Sequence, residues 1–352
     1  MSHDAVDFAI IGNDLQAQLL AGMLAAERGK SCLLVGESHP DYRLARSLDL
    51  STAPITRPQT WMVLKKVGAE AVRIVTRIGQ RRSWRHVEPL YLAARPDGVA
   101  ALGHFRHMAM SMDVIAEPAP KKAVADRTGI VLRDAVMLDP ARLQAPLDNW
   151  LHRHRVQRLP PDTPLVLHDN GSATINAAGT SIKAHQAILA DDDAILDHLP
   201  QAHFPPLLQS RQHSSIAGDL QHPLPAPIMH DLDTGLTLFQ QRAGAITAFG
   251  PGSVEQLADN LRALLGGSSF RQTGQSTYQR IVTGDGAPAV GRIAGHGAHI
   301  IAGFGPTGAF FTPALARWLA GVGTPAENDW LHDRLVTRDF STLHVADIGG
   351  GP

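Results

Sequence analysis

A single cysteine, Cys32, occurs in 352 residues. No intramolecular disulfide can form and no thiolate metal cluster can be built, which suits a reducing compartment. Net charge is nearly absent too: 32 Lys and Arg stand against 33 Asp and Glu, leaving a formal charge of -1. No global field therefore attracts nucleic acid or an anionic membrane, and the basic run Arg81-Arg82-Ser83-Trp84-Arg85 reads as a solvated face. Long apolar runs are missing, each being broken within about a dozen residues, short of a transmembrane span. Met1-Ser2-His3-Asp4 lacks the basic region and apolar stretch of a secretion signal. Internal repeats and low-complexity linkers are missing as well. A cytoplasmic globular protein that engages neither nucleic acid nor membrane is expected.

What is there is ordinary in bulk, with 44% hydrophobic and 18% charged residues, and long enough for two domains with cores of their own. Asp7 to Gly12 is a short apolar run ending in glycine, the pattern of a buried parallel strand. Leu15 to Arg28 carries Leu19, Leu20, Met23 and Leu24 at helical spacing, and Gly29 stops it. Cys32 to Val35 reads as a second strand. Together they make the βαβ unit that opens a dinucleotide-binding domain.

Further along, Pro54 to Gly79 turns helical in its second half. Trp84 to Arg95, Gln209 to Gly218 and Thr237 to Gly250 alternate like strands of an antiparallel sheet, the last with a turn at Gly244. Asp139-Pro140 begins a helix through Trp150 and His152, with proline where its missing N–H is harmless. Val166 to Ala190 reads as a hairpin with turns at Asn170-Gly171 and Ala178-Gly179, and Val254 to Leu265 as a helix. Near the C-terminus a strand, His299 to Ala302, runs into Gly303-Phe304-Gly305-Pro306-Thr307-Gly308, and a helix follows from roughly Pro313 to Leu319. A glycine turn between strand and helix exposes N–H groups at the positive end of a helix dipole. It also lets a flat ligand approach the backbone closely.

This C-terminal segment resembles the flavin-binding stretch of the D-amino-acid-oxidase/glycine-oxidase superfamily. Arg280, Asp285, Gly286, Pro288, Gly291, Gly303 and Gly308 follow that family's order, and Leu138-Asp139-Pro140-Ala141-Arg142-Leu143 is similar to its mid-chain helix start. The segment Tyr91-Leu92-Ala93-Ala94 is similar to its substrate-domain strand. The resemblance implies an α/β fold in which a Rossmann-like FAD-binding domain (1–80, 126–200 and 271–352) is interleaved with a smaller antiparallel-sheet substrate domain (81–125 and 201–270). It implies FAD held by Gly12, Asn13, Asp14, Ala17, Gly36 and Glu37 at one end of the chain and by Gly303, Phe304, Gly305, Pro306, Thr307 and Gly308 at the other. The activity implied is oxidation of an amine or amino-acid-like small molecule by hydride transfer to the flavin. Arg280 then anchors a substrate carboxylate, as a planar guanidinium suits, and Tyr278 lines the same pocket.

Three places depart from the pattern. The N-terminal turn, Gly12-Asn13-Asp14-Leu15-Gln16-Ala17, keeps only the first glycine of Gly-x-Gly-x-x-Gly. Ala17 is a tolerated variant, but Asp14 adds bulk and a like charge where a pyrophosphate sits. Gly36 stands where an acid should grip the ribose, with Glu37 one residue beyond. Asp191-Asp192-Asp193 follows Ala190 where the family has an Ala-x-Gly-Ala-type turn, and suits a helix N-terminus better than a phosphate neighbour. An alternative therefore stands beside the oxidoreductase: a catalytically silent member of the fold, with FAD binding lost or weakened, serving as a partner subunit or binding module. Among the 18 histidines, His104 and His107 share a helical face without an acidic or cysteine partner, and His296 and His299 frame the last strand, so no metal is expected.

Overall fold

A computed structural model describes residues 5–38, 43–124, 126–177, 179–240, 244–266, 270–293, 295 and 297–340. The chain opens with strand β1 (Ala5–Ile11), helix α1 (Leu15–Arg28) and strand β2 (Cys32–Val35). β1 and β2 pair in parallel, Phe8 opposite Cys32 and Ile11 opposite Val35. Asp14 caps α1 by accepting from the Ala17 N–H, and Gly29 closes it in the left-handed region at φ 65°.

β1 lies inside a sheet whose strands run in the order 289–292, 299–302, 180–189, β1, β2, 157–159, with two short strands, 165–167 and 173–177, appended. The neighbours of β1 and β2 are parallel to them, while the 289–292 edge strand and the appended 165–167 and 173–177 strands pair antiparallel. Helices cover this sheet, so β1 and β2 need apolar residues on both faces, which explains their unbroken runs. On one face α1, the long helix α2 (Pro58–Gly79) and the helix Gly308–Leu319 enclose the largest core, in which Leu19, Leu20, Met23, Leu24, Phe310 and Phe311 are all but inaccessible. Burying each such side chain contributes about 1.5–3 kcal/mol. Gly22 lets α1 press against Trp150, since a Cβ there would fall 1.9 Å from its ring.

A second sheet has the order 270–283, 208–220, 245–251, 237–240, 228–231, 90–93, 128–132, 116–118. Its two long strands pair antiparallel from Leu208–Thr283 to Leu220–Phe270, with an irregularity between Ala217 and Gly218. One pair within it is parallel, Met229 beside Leu90, from stretches of chain more than a hundred residues apart. The helix Val254–Leu265 closes one face, started by a capping box of Ser253 and Gln256 and ended by Gly266 at φ 60°. A two-stranded sheet pairs 84–87 with 135–138, and the fold is thus α/β with two large sheets, a small one and interleaved chain segments, as the sequence implies.

Two local expectations need adjusting. α2 spans Pro58–Gly79 rather than the second half of the 54–79 stretch, since Pro58 sits in its first turn where proline is harmless. The last long helix starts at Gly308, not Pro313, so the glycine turn feeds straight into it and Pro313 lies inside the first turns. His296 and Ala178 lie outside the described residues. Among the described residues no helix is long and apolar enough to cross a membrane.

Candidate functional site

The C-terminal ends of the parallel strands, where an open α/β sheet presents its crevice, bring together Gly12 to Ala17, Gly36, the 190–193 turn and the Gly303–Gly308 turn. The strand carrying Tyr278 and Arg280 reaches the same place from the second sheet. The structure brings these residues together at the strand ends. What it also shows is how they are engaged.

Three N–H groups at the start of α1, those of Asn13, Asp14 and Ala17, are already paired. Asp191 Oδ2 accepts from Asn13 N at 2.5 Å and from Asp14 N at 3.3 Å. The Ala17 N–H goes to Asp14 Oδ1 at 2.7 Å. Asp191 Oδ1 meanwhile accepts from Ala194 N at 2.8 Å, capping the helix Asp192–His198, so one carboxylate joins two helix starts. Gly12 backs on this contact: a Cβ there would lie 2.9 Å from Ala17 Cβ and 3.0 Å from Asp191 Oδ2.

At the end of β2, Gly36 is glycine because a Cβ would stand 2.2 Å from the Gly12 carbonyl oxygen. No carboxylate can come from that position. The Asn13 side chain fills the space, its Oδ1 accepting from Glu37 N at 2.8 Å. Glu37 turns its own carboxylate to Arg43, 2.6 Å away.

The Gly303–Gly308 turn has the expected shape, with Gly303 at φ 74° and Gly305 at φ 53°. Phe304 is buried against Phe311 and Trp330, Thr307 bonds the Phe304 carbonyl at 2.8 Å, and the Pro306 carbonyl accepts from Leu50 N at 2.8 Å. Gly308 faces Gln16, whose Oε1 would stand 2.0 Å from an added Cβ, while Gln16 Nε2 donates to the Ala190 carbonyl at 3.0 Å. The family-like Asp285 is structural: Arg338 grips both its oxygens at 2.8 and 2.9 Å.

Arg280 donates from Nε to Asp192 Oδ2 at 3.2 Å. Tyr278 is buried, its hydroxyl donating to the Arg46 carbonyl at 3.1 Å and its ring lying 4.8 Å beneath the Arg46 guanidinium. Arg46 Nη1 reaches both oxygens of Asp193, at 2.9 and 3.0 Å. His213 sits beside Tyr278, and burial together with the Arg280 charge pushes its imidazole down to about 4.

Electrostatically the crevice is acidic. Burial, and then the charge of Asp191, holds the Asp14 carboxyl well above the usual carboxylate range. Burial pushes Asp191 up to about 6 against the pull of its N–H donors, and Asp49 up to about 7. Asp192 is raised by burial and lowered by Arg280. A diphosphate brought here would meet the Asp191 carboxylate, ionised above about pH 6: like charges about 4 Å apart oppose each other by about 4 kcal/mol in partly screened surroundings, about half the binding free energy of a micromolar ligand. With the Asn13, Asp14 and Ala17 N–H groups taken, no acid at Gly36 and Gln16 against Gly308, the site does not fit a flavin dinucleotide lying across it.

The reach of the aspartate turn is not legible in the sequence. The run was legible as a helix start, which it is, but its bonds to Asn13, Arg280 and Arg46 span 178, 88 and 147 residues. Asp49 and Gln16 carried no signal. Two cavities lie elsewhere: one of about 280 Å³ beside Leu167, Asp169, His198 and Ile300, and one of about 450 Å³ beside Ile78, Arg82 and Arg142. Among the described residues no group of three His, Cys, Asp or Glu side chains is placed to hold a metal.

Neither a family model nor a curated protein sequence matches the chain. Solved structures do. Glycine oxidase from Geobacillus kaustophilus superposes with a TM-score of 0.72 over 97% of this chain and 100% of its own, at 12% identity. NikD, an unusual amino acid oxidase essential for nikkomycin biosynthesis, gives 0.70 over 94% and 97% at 15% identity. L-proline dehydrogenase from P. horikoshii gives 0.67 over 94% and 97% at 14% identity. The chain therefore shares its fold with these two oxidases and the dehydrogenase.

Proposed function

We propose that this chain is a catalytically silent member of the amino-acid-oxidase fold, with FAD binding lost or strongly weakened, and that it acts as a binding module or partner subunit. The observation that carries this is the Asp191 carboxylate seated on the Asn13 and Asp14 N–H groups, where a cofactor's diphosphate would need donors without competing charge. Support for a docking role comes from Met62, Met110 and Ile115, each more than half exposed. They lie around the junction where Lys65 of α2 bonds the Met112 carbonyl, and flexible thioethers suit adaptable contact surfaces.

A second reading, FAD-dependent oxidation of an amine or amino-acid-like small molecule, is supported by the end-to-end likeness to a glycine oxidase and an amino acid oxidase. The placement of Arg280 and Tyr278 at the crevice also favours it. The visible spectrum of the purified full-length chain separates the two. Silence requires colourless protein that leaves the fluorescence of added FAD unquenched. Bound flavin that bleaches on addition of an amino acid would overturn the proposal and establish the second reading.

A further inference from the structure

The Asp191-Asp192-Asp193 turn sends each of its three carboxylates to a different group of the kind that recognises anions. Asp191 takes the N–H pair at the start of α1. Asp192 takes Arg280 Nε at 3.2 Å. Asp193 takes Arg46 Nη1 at 2.9 Å, with Arg43 Nη1 at 4.0 Å. Three adjacent acids in a solvated turn would repel one another and point to water. Here they splay to partners from three remote parts of the chain, and none of the three is exposed.

We infer that this turn is a built-in anionic occupant of the crevice, a tethered stand-in for a ligand bearing a diphosphate or a carboxylate. The inference rests on the flavin-free reading above and deepens it: the recognition groups persist and are answered from within. A tethered group acts at an effective concentration of millimolar order, so a free anion at micromolar concentration cannot displace it. Take the three carboxylates away and the N–H pair, Arg280 and Arg46 face the crevice together. That combination of a helix start and two guanidiniums recognises a nucleoside diphosphate.

The test compares the full-length wild-type chain with Asp191→Ser/Asp192→Ala/Asp193→Ala, titrating each with ADP and with FAD by calorimetry. Serine keeps the cap on the following helix but is too short to reach α1. ADP is expected to bind the variant at least tenfold more tightly than wild type. No gain in a variant with the wild-type circular dichroism spectrum overturns the inference and leaves the flavin-free reading standing. Tight FAD binding by the wild-type chain overturns both. Should the triple variant fail to fold, Asp192→Asn/Asp193→Asn keeps Asp191 on both helix starts while releasing Arg280 and Arg46. It is expected to bind inorganic pyrophosphate more tightly than wild type, and unchanged binding counts against the inference.

Discussion

Replacing Asp191 by asparagine sets two effects of opposite sign against each other. The carboxylate accepts from Asn13, Asp14 and Ala194, and an asparagine oxygen can keep only part of that set, for a loss of about 1–2 kcal/mol. Against this, burial raises the Asp191 pKa from 3.8 to about 6. At about 1.4 kcal/mol per pKa unit, holding the group ionised in the fold costs about 3 kcal/mol. The folded-state pKa lies above the unfolded one, so the folded state holds the proton more tightly, and stability falls as pH rises from about 4 through about 6. Asp49, raised to about 7, adds to the same slope. Asparagine caps a helix as well as aspartate does. Asp191→Asn should therefore be more stable than wild type by about 1–2 kcal/mol at pH 8, with the advantage lost or reversed near pH 4. Urea unfolding at both pH values measures this. A variant less stable than wild type by the same amount at both would refute the reasoning, since the hydrogen bonds would then outweigh the buried charge.

Gly22→Ala would ordinarily strengthen α1 by about 1 kcal/mol. Its Cβ would stand 1.9 Å from the Trp150 ring, and such overpacking costs about 1–3 kcal/mol, so a lower urea midpoint is expected; a higher one would mean that Trp150 moves freely. Glu327, buried, accepts from Arg317 Nε at 3.0 Å and Nη2 at 2.6 Å, so Glu327→Ala should destabilise by about 3–5 kcal/mol. Burial pushes the Glu327 pKa up, but the Arg317 and Thr324 hydrogen bonds and the Arg317 charge together outweigh burial and lower it, so the contribution is present above the usual carboxylate range and lost on acidification. Thermal melts of Glu327→Gln across pH 3 to 7 should show a flatter acid limb than wild type, and an unchanged limb would rule the pair out as its source.

How much of this was legible in the sequence depended on range. α1, β2, the helix Val254–Leu265 and the strand His299–Ala302 match their expected bounds because periodicity and glycine stops are local signals. The parallel pairing of Met229 with Leu90 was not legible, since alternation marks a strand but not its neighbour. The same limit governed the site. Asp14, Gly36 and the aspartate run could be seen as departures, each on its own stretch of chain. That the Asp191 carboxylate answers the turn containing Asp14 depends on β1 and the 180–189 strand lying side by side, Ile11 opposite Leu189. Arg280 was recognisable as a candidate anchor, but nothing near it in sequence indicated that Asp192 would hold it.

One carboxylate spanning two helix starts has a consequence for how this protein is maintained. A fold that leaves its central crevice to a cofactor draws stability from that cofactor in proportion to the logarithm of its concentration, and weakens when supply runs short. Here the corresponding contacts belong to the polypeptide itself. Where the crevice is flavin-free, as proposed, their strength does not vary with flavin supply, so the melting temperature should be the same in flavin-starved and flavin-rich surroundings.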